Sequence, residues 1–132
     1  MKDVIYGITK NIGRLTIDAG VEKVTAALKS EGFGVLTEID VKATMKKKLD
    51  VDVRPYKILG ACNPPLAHRS LTEEPLMGLL LPCNVVVAED EDGTIVVSAV
   101  KPSEMFKVVE NAALADIAGD VEAKLTRVID SL

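Results

Sequence analysis

The stretch that decides the fold runs from Gly60 to Asn84, beginning Gly60-Ala-Cys-Asn-Pro-Pro65 and ending Leu79-Leu-Leu-Pro-Cys-Asn84. It contains both cysteines, the only histidine and four of the six prolines of the chain. Pro64 disfavours the α conformation at Asn63, which leaves Asn63 in the backbone state that a helix N-cap needs. Pro64 and Pro65 suit early helical positions, where an N–H group would lack an intrahelical partner. The sequence therefore predicts a strand over Tyr56–Cys62, followed by a short helix from Pro64 to near Pro75.

Before this stretch, β-rich segments alternate with apolar residues at helical spacing. The predicted elements are a strand over Val4–Thr9, a helix carrying Ile17, Val21, Val24 and Leu28 that stops at Gly32, a strand over Phe33–Ile39, and a brief helix through Val41, Met45 and Leu49 capped by Asp40. A second group of elements follows Pro82. Asp92-Gly93 lies between the β-rich segments Cys83–Ala88 and Thr94–Val100, which is a strong signal for a hairpin.

The carboxyl-terminal third of the chain is predicted to be helical. Pro102 opens a short helix, and one apolar stripe then runs through a final helix, made by Leu114, Ile117, Val121, Leu125, Val128 and Leu132. Together these patterns predict a single α+β domain over residues 1–132 in the order β-α-β-β-β-β-α. We expect one antiparallel sheet of about five strands, with the two long helices covering one face.

Charge and hydropathy argue against several classes of function. The net charge of −4 argues against nucleic acid as a partner, because such binding depends on releasing counterions from phosphates. The amino terminus lacks the apolar run of a signal peptide, and Met77–Ala88 is too short to span a bilayer. We therefore expect a cytoplasmic protein with no membrane partner and with reduced thiols.

Polar and soft side chains concentrate around the two Cys-Asn dipeptides. The candidate ligand-binding residues are Cys62, Asn63, His68, Cys83 and Asn84. Two sulfurs and one nitrogen from Cys62, His68 and Cys83 suit zinc or copper, although the chain has no C-x-x-C motif and no second histidine. With Ala67 and Leu71 taken as the inward face of the helix after Asn63, His68 is expected at the rim of a pocket shared by both cysteines.

The segments Gly60-Ala-Cys-Asn-Pro-Pro-Leu-Ala-His68, Gly78-Leu-Leu-Leu-Pro-Cys-Asn-Val85 and Gly32-Phe-Gly-Val-Leu-Thr-Glu-Ile-Asp40 resemble the family catalogued as domain of unknown function 302. The resemblance covers nearly the whole chain. It implies a single α+β domain similar to the fold of the TATA-box-binding protein, and it implies no reaction. DNA binding does not follow from this likeness, because the chain is acidic and has four aromatic residues.

Three hypotheses for function come from the sequence. The first is binding of a small ligand or a soft metal in the Cys/His/Asn pocket, with no catalysis expected. The second is an interaction module that forms a homodimer or a larger homo-oligomer through its sheet or through an apolar strand over Leu79–Leu81. The third is a thiol redox protein.

Overall fold

A computed structural model describes all residues from Met1 to Leu132. The strands are β1 (Gly7–Asn11), β2 (Gly34–Asp40), β3 (Tyr56–Cys62), β4 (Cys83–Glu89) and β5 (Ile95–Val100). The α-helices are α1 (Ile17–Ser30), α2 (Val41–Leu49), α3 (Pro64–Glu73), α4 (Pro102–Met105) and α5 (Ala113–Asp130). Two short 3-10 helices, Pro75–Leu80 and Phe106–Val108, follow α3 and α4.

The five strands form one sheet in the order β1-β5-β4-β3-β2, and every neighbouring pair is antiparallel. The hairpin between β4 and β5 turns at Gly93, whose φ of 82° is open to glycine at little cost. The Asp90 amide donates to the Thr94 carbonyl at 2.8 Å and closes this turn. The predicted α+β class, the hairpin and the final helix are confirmed.

The core lies between one face of the sheet and the helices α1 and α5. Alternate residues of the central strands, among them Leu59, Val85 and Val97, point to this face and are fully buried. Helix α1 approaches the sheet closely at Gly20, where a β-carbon would lie 3.2 Å from side-chain atoms of both Val87 and Ile95. The predicted stripe of α5 is buried from Leu114 to Val128, and this helix packs beside α1 on the same face of the sheet.

The other face of the sheet is covered by no long helix. The register places Ile39 opposite Ile58 and Ile58 opposite Val86, so three apolar side chains form a row across β2, β3 and β4. Further along the same face, Thr9 and Ser98 share a hydrogen bond of 2.7 Å between their hydroxyls. This row of the second face is thus apolar at the β2 side and polar at the β1 side, and in the next row Ala88 and Val96 are buried.

The first strand begins three residues later than predicted. Val4–Thr9 was expected from its β-branched residues, but β1 covers Gly7–Asn11. A turn in which the Gly7 amide donates to the Val4 carbonyl separates the preceding segment from the strand. The Tyr6 carbonyl accepts from the Lys101 amide at one end of β5, while the terminal ammonium pairs with Asp90 beyond the other end. Residues 1–6 therefore return to the hairpin end of the sheet, where Met1 lines a depression with Tyr56 and Glu89.

The predicted apolar strand over Leu79–Leu81 is wrong. Pro75–Leu80 forms a 3-10 helix, because Pro75 occupies its first position and starts the turn. Met77 is the buried residue of this segment, and Leu79 points to solvent. Extended structure resumes only at Leu81, just before β4.

Helix α2 differs from the others because it buries none of its residues. The Asp40 carboxylate accepts from the Ala43 amide at 2.9 Å and caps its start, as predicted. Lys46, Lys47 and Lys48 occupy its last turn, where cations interact favourably with the helix dipole. The cap and the interaction of the lysines with the helix dipole are therefore important for the stability of α2.

The glycines provide a test of the packing. At Gly60 a β-carbon would lie 2.2 Å from Thr37 Oγ1 and 2.8 Å from Pro82 Cγ, whereas at Gly119 on the outer side of α5 it would meet nothing within 4 Å. We predict that Gly60→Ala destabilises the protein by about 1–3 kcal/mol through overpacking. The same change at Gly119 should stabilise it by about 1 kcal/mol through helix propensity. Urea unfolding of both variants checks this, and equal effects at the two positions would contradict the packing described.

Candidate functional site

A cavity of about 280 Å³ lies at the end of the sheet where β3 stops and β4 starts. Eleven of its fourteen lining residues are hydrophobic, and none of the fourteen is charged. Strands β2, β3 and β4, helix α3, the 3-10 helix at Phe106 and helix α5 all contribute to the wall. The lining residues are Phe33, Leu36, Ala61, Cys62, Asn63, Leu66, Ala67, Ser70, Leu71, Leu81, Pro82, Cys83, Phe106 and Val121.

Both cysteines line this cavity. Ala61 lies opposite Cys83 in the antiparallel register of β3 and β4, so Cys62 is the next residue along β3 from the one that faces Cys83. The Cys83 side chain is only 5% exposed, while Cys62 is half-buried. No disulfide joins them. The strand pairing therefore places two cysteines that are 21 positions apart in the sequence at the same end of the sheet, on the wall of one cavity.

The two thiols differ in chemistry because they differ in burial. Burial, and to a lesser extent the neighbouring Cys62, raises the pKa of the Cys83 thiol from 9.0 to about 11. Cys83 is therefore protonated at neutral pH and does not supply a thiolate. This argues against Cys83 as the attacking group of a thiol redox protein.

Asn63 has a structural task at the edge of the cavity. Its Oδ1 accepts from the Leu66 amide at 3.4 Å and caps α3, while its Nδ2 donates to the Glu31 carbonyl at 3.3 Å. One carboxamide thus joins the start of α3 to the end of α1. The capping role that the prolines predicted for Asn63 is the one the structure gives it.

The prediction that Ala67 and Leu71 form the inward face of α3 is wrong. Leu66 and Ser70 are the buried residues, and the Ser70 hydroxyl donates to the Leu66 carbonyl at 2.9 Å. Because this bond satisfies the hydroxyl inside the helix, a serine can occupy the buried row. The helix is therefore rotated by about one residue, or roughly 100°, from the expected orientation.

This rotation carries His68 away from the cysteines. His68 is exposed and lines a separate polar depression with Arg69, Glu73 and Asp116. The three side chains predicted as zinc or copper ligands, Cys62, His68 and Cys83, therefore do not surround one point. No group of three histidine, cysteine, aspartate or glutamate side chains is placed to hold a metal ion. The donors present do not fit a zinc site.

Asn84 also lies outside the cavity. It pairs with Gly60 in the sheet and is exposed on the second face, because it alternates with the buried Cys83 and Val85. Of the five predicted ligand-binding residues, the structure brings Cys62, Asn63 and Cys83 to one wall and leaves His68 and Asn84 elsewhere.

Several residues of the wall were not among the predicted site residues. Phe33 and Phe106 are the only phenylalanines of the chain, and both line the cavity. Their scarcity was a signal that sequence reasoning could have used. Leu36 joins the wall at a register shift between Val35 and Thr37, for which the sequence carries no marker.

The pKa of Cys83 predicts a pH dependence of stability. Between pH 9 and 11 the unfolded chain loses this proton while the folded chain keeps it, so stability falls as the pH rises through this interval. At pH 10.5 the loss attributable to Cys83 should be about 2 kcal/mol. Urea unfolding of the wild type and of Cys83→Ala at pH 8 and pH 10.5 separates this effect from other titrations. The cost of the substitution should shrink at the higher pH, and an unchanged cost would refute the assignment.

The family model described as "Domain of unknown function DUF302" matches residues 8–132. No curated protein matches. The crystal structure of an uncharacterized conserved DUF302 protein from Bacillus stearothermophilus is similar, with a TM-score of 0.87 and 33% sequence identity over 96% of this chain and 98% of that one. None of the helices combines the length and hydropathy that crossing a membrane requires. The chain belongs to the DUF302 family.

Proposed function

We propose that the protein binds a small, uncharged and largely apolar molecule in the cavity at the end of β3. One observation carries this proposal, namely a cavity of about 280 Å³ whose lining is mostly hydrophobic and has no charged residue. Pockets for small molecules are apolar with a few polar groups, and this volume is near the lower end of their range. The ligand is therefore a small molecule and not a cofactor with a nucleotide part.

The start of α3 supports an uncharged ligand. A helix N-terminus usually attracts anions through free N–H groups. Here Pro64 and Pro65 have none, the Leu66 amide donates to the Asn63 side chain, and the Ala67 amide donates to the Asn63 carbonyl at 2.9 Å. An anionic group at this place would find no donor in the first turn.

Two leucines support entry between β2 and α3. Leu36 is 68% exposed and Leu71 is 41% exposed, yet both line the cavity. They therefore belong to its rim. An apolar ligand in contact with them would remove apolar surface from water on both sides, which favours binding by about 25 cal/mol per Å².

A pair of dyes tests the proposal. N-phenyl-1-naphthylamine is uncharged and apolar, and 8-anilinonaphthalene-1-sulfonate differs from it mainly by one anionic group. We expect the first dye to bind at one site with a fluorescence increase, and the second to bind at least tenfold more weakly. Equal binding of the two dyes, or no binding of the uncharged one, would refute the proposed cavity specificity.

A matched pair of variants locates the binding. Ala67→Phe places a large ring at the cavity wall, whereas Ala26→Phe makes the same change on the exposed side of α1. We expect the first variant to lose at least tenfold in affinity for the uncharged dye and the second to keep it. Circular dichroism of both variants verifies that the fold is retained.

We propose homodimerisation through the second face of the sheet as a second candidate function. The observation that favours it is the row of Ile39, Ile58 and Val86, in which Ile39 is 48% exposed and the other two are half-buried. A second copy that pairs the same row with itself would make a two-fold interface, the commonest symmetry of homo-oligomers. The Leu79–Leu81 segment is the weaker candidate surface, because it is not a strand.

Light scattering of two lysine variants tests this candidate. We expect a dimer mass for the wild type at micromolar concentration, a monomer mass for Ile39→Lys because it buries a charge at the interface, and a dimer mass for Leu79→Lys. A monomeric wild type would exclude the dimer. If Leu79→Lys is a monomer and Ile39→Lys remains a dimer, the interface lies at the 3-10 helix Pro75–Leu80 and not on the sheet.

A further inference from the structure

We propose that Cys62 is a covalent attachment site for uncharged apolar electrophiles of the α,β-unsaturated carbonyl class, which first bind in the cavity. The inference rests on the proposed function, because the cavity must hold the apolar part of the reagent. It goes beyond that function by naming the bond that forms and the ligand class that forms it.

Cys62 has the position that such a reaction needs. It is the last residue of β3, so the sheet fixes its backbone on one side and the Asn63 cap of α3 fixes it on the other. Cys62 is half-buried and is one of the residues that line the cavity, which leaves it accessible to both a bound molecule and water. A reagent held beside this sulfur reacts as part of a complex, and such placement raises its effective concentration.

Cys83 provides the second observation. Its side chain is 5% exposed, lines the same cavity and makes no hydrogen bond in the structure. A protonated thiol is a weak donor, so it can donate to the carbonyl oxygen of a bound reagent. Burial raises its pKa to about 11, which keeps the proton on Cys83 at neutral pH. The two thiols therefore divide the tasks, with Cys83 orienting the carbonyl and Cys62 forming the bond.

The reaction needs no further reagent. The Cys62 thiol loses its proton to water, and the sulfur bonds to the β-carbon of the unsaturated carbonyl compound. The π electrons of the carbon–carbon double bond move toward the carbonyl oxygen and give an enolate, whose α-carbon then takes a proton from water. The net change is addition of S–H across the double bond, so nothing is oxidised or reduced and no group leaves.

Maleimides contain this unsaturated carbonyl unit and make the test quantitative. N-phenylmaleimide is uncharged and apolar, and N-(2-carboxyethyl)maleimide is anionic. Their rates with the protein are measured by intact mass at pH 7.5 and divided by their rates with glutathione. We expect a corrected preference of at least tenfold for the phenyl reagent, saturation of its rate with concentration, and one adduct, mapped to Cys62.

Three controls connect the preference to the cavity. N-phenyl-1-naphthylamine should slow the phenyl reagent in the wild type, and Ala67→Phe should remove the preference. The double variant Cys62→Ser/Ala26→Cys carries its reactive thiol on the exposed side of α1 and should show no preference. If Ala67→Phe does not fold, competition between the dye and the phenyl reagent in the wild type still shows whether the reaction takes place in the cavity.

The outcomes separate the two proposals. If the uncharged dye binds but the corrected rates are equal and unsaturated, the covalent inference is wrong and the binding function stands. An adduct at Cys83 in place of Cys62 also overturns the inference. If the dye does not bind and no preference is found, both proposals fail together.

Discussion

The pairing of β3 with β4 is the constraint on which the rest of the structure depends. Gly60 lies opposite Asn84, with Thr37 on one side and Pro82 on the other, at distances that leave no room for a side chain. A shift of one residue would turn the buried residues of a strand to the opposite face. It would also bring a side chain into the space that Thr37 and Pro82 close. Steric exclusion at one glycine thus holds the register that brings Cys62 and Cys83 to one cavity.

The cavity is apolar because the two polar side chains on its wall, Asn63 and Ser70, bond to backbone groups of the helices. At the start of α3 two prolines remove donors, and Asn63 accepts from the next one while it holds the end of α1. Ser70 turns its hydroxyl back onto its own helix. No buried side-chain nitrogen or oxygen is left without a partner. Among the side chains of the wall, the two thiols are the polar groups that make no hydrogen bond, which explains why the proposed chemistry centres on sulfur.

Features that depend on neighbouring residues could be predicted from the sequence. Tyr56–Cys62, the Asn63 cap and the hairpin at Asp92-Gly93 each follow from a local rule on strand propensity, capping or turns. The orientation of α3 could not be predicted in this way, because the apolar pattern favours burying Ala67 and Leu71. In the structure Ser70 is buried instead, since its hydroxyl donates to the Leu66 carbonyl within the helix. The contribution of Leu36 depends on a register shift in β2, which is a property of strand pairing. The sequence therefore predicted the two cysteines and Asn63 of the site, but not the apolar residues that make up most of its wall.

Helix α2 leads to a consequence of a different kind. Because it buries no residue, breaking its hydrogen bonds exposes little apolar surface, and the free energy of opening it is far below that of unfolding the sheet. Its amide protons should exchange with solvent long before those of β4 and β5. The connection between β2 and β3 is accordingly a place where the chain can accept inserted residues, or a fused peptide, without disturbing the core.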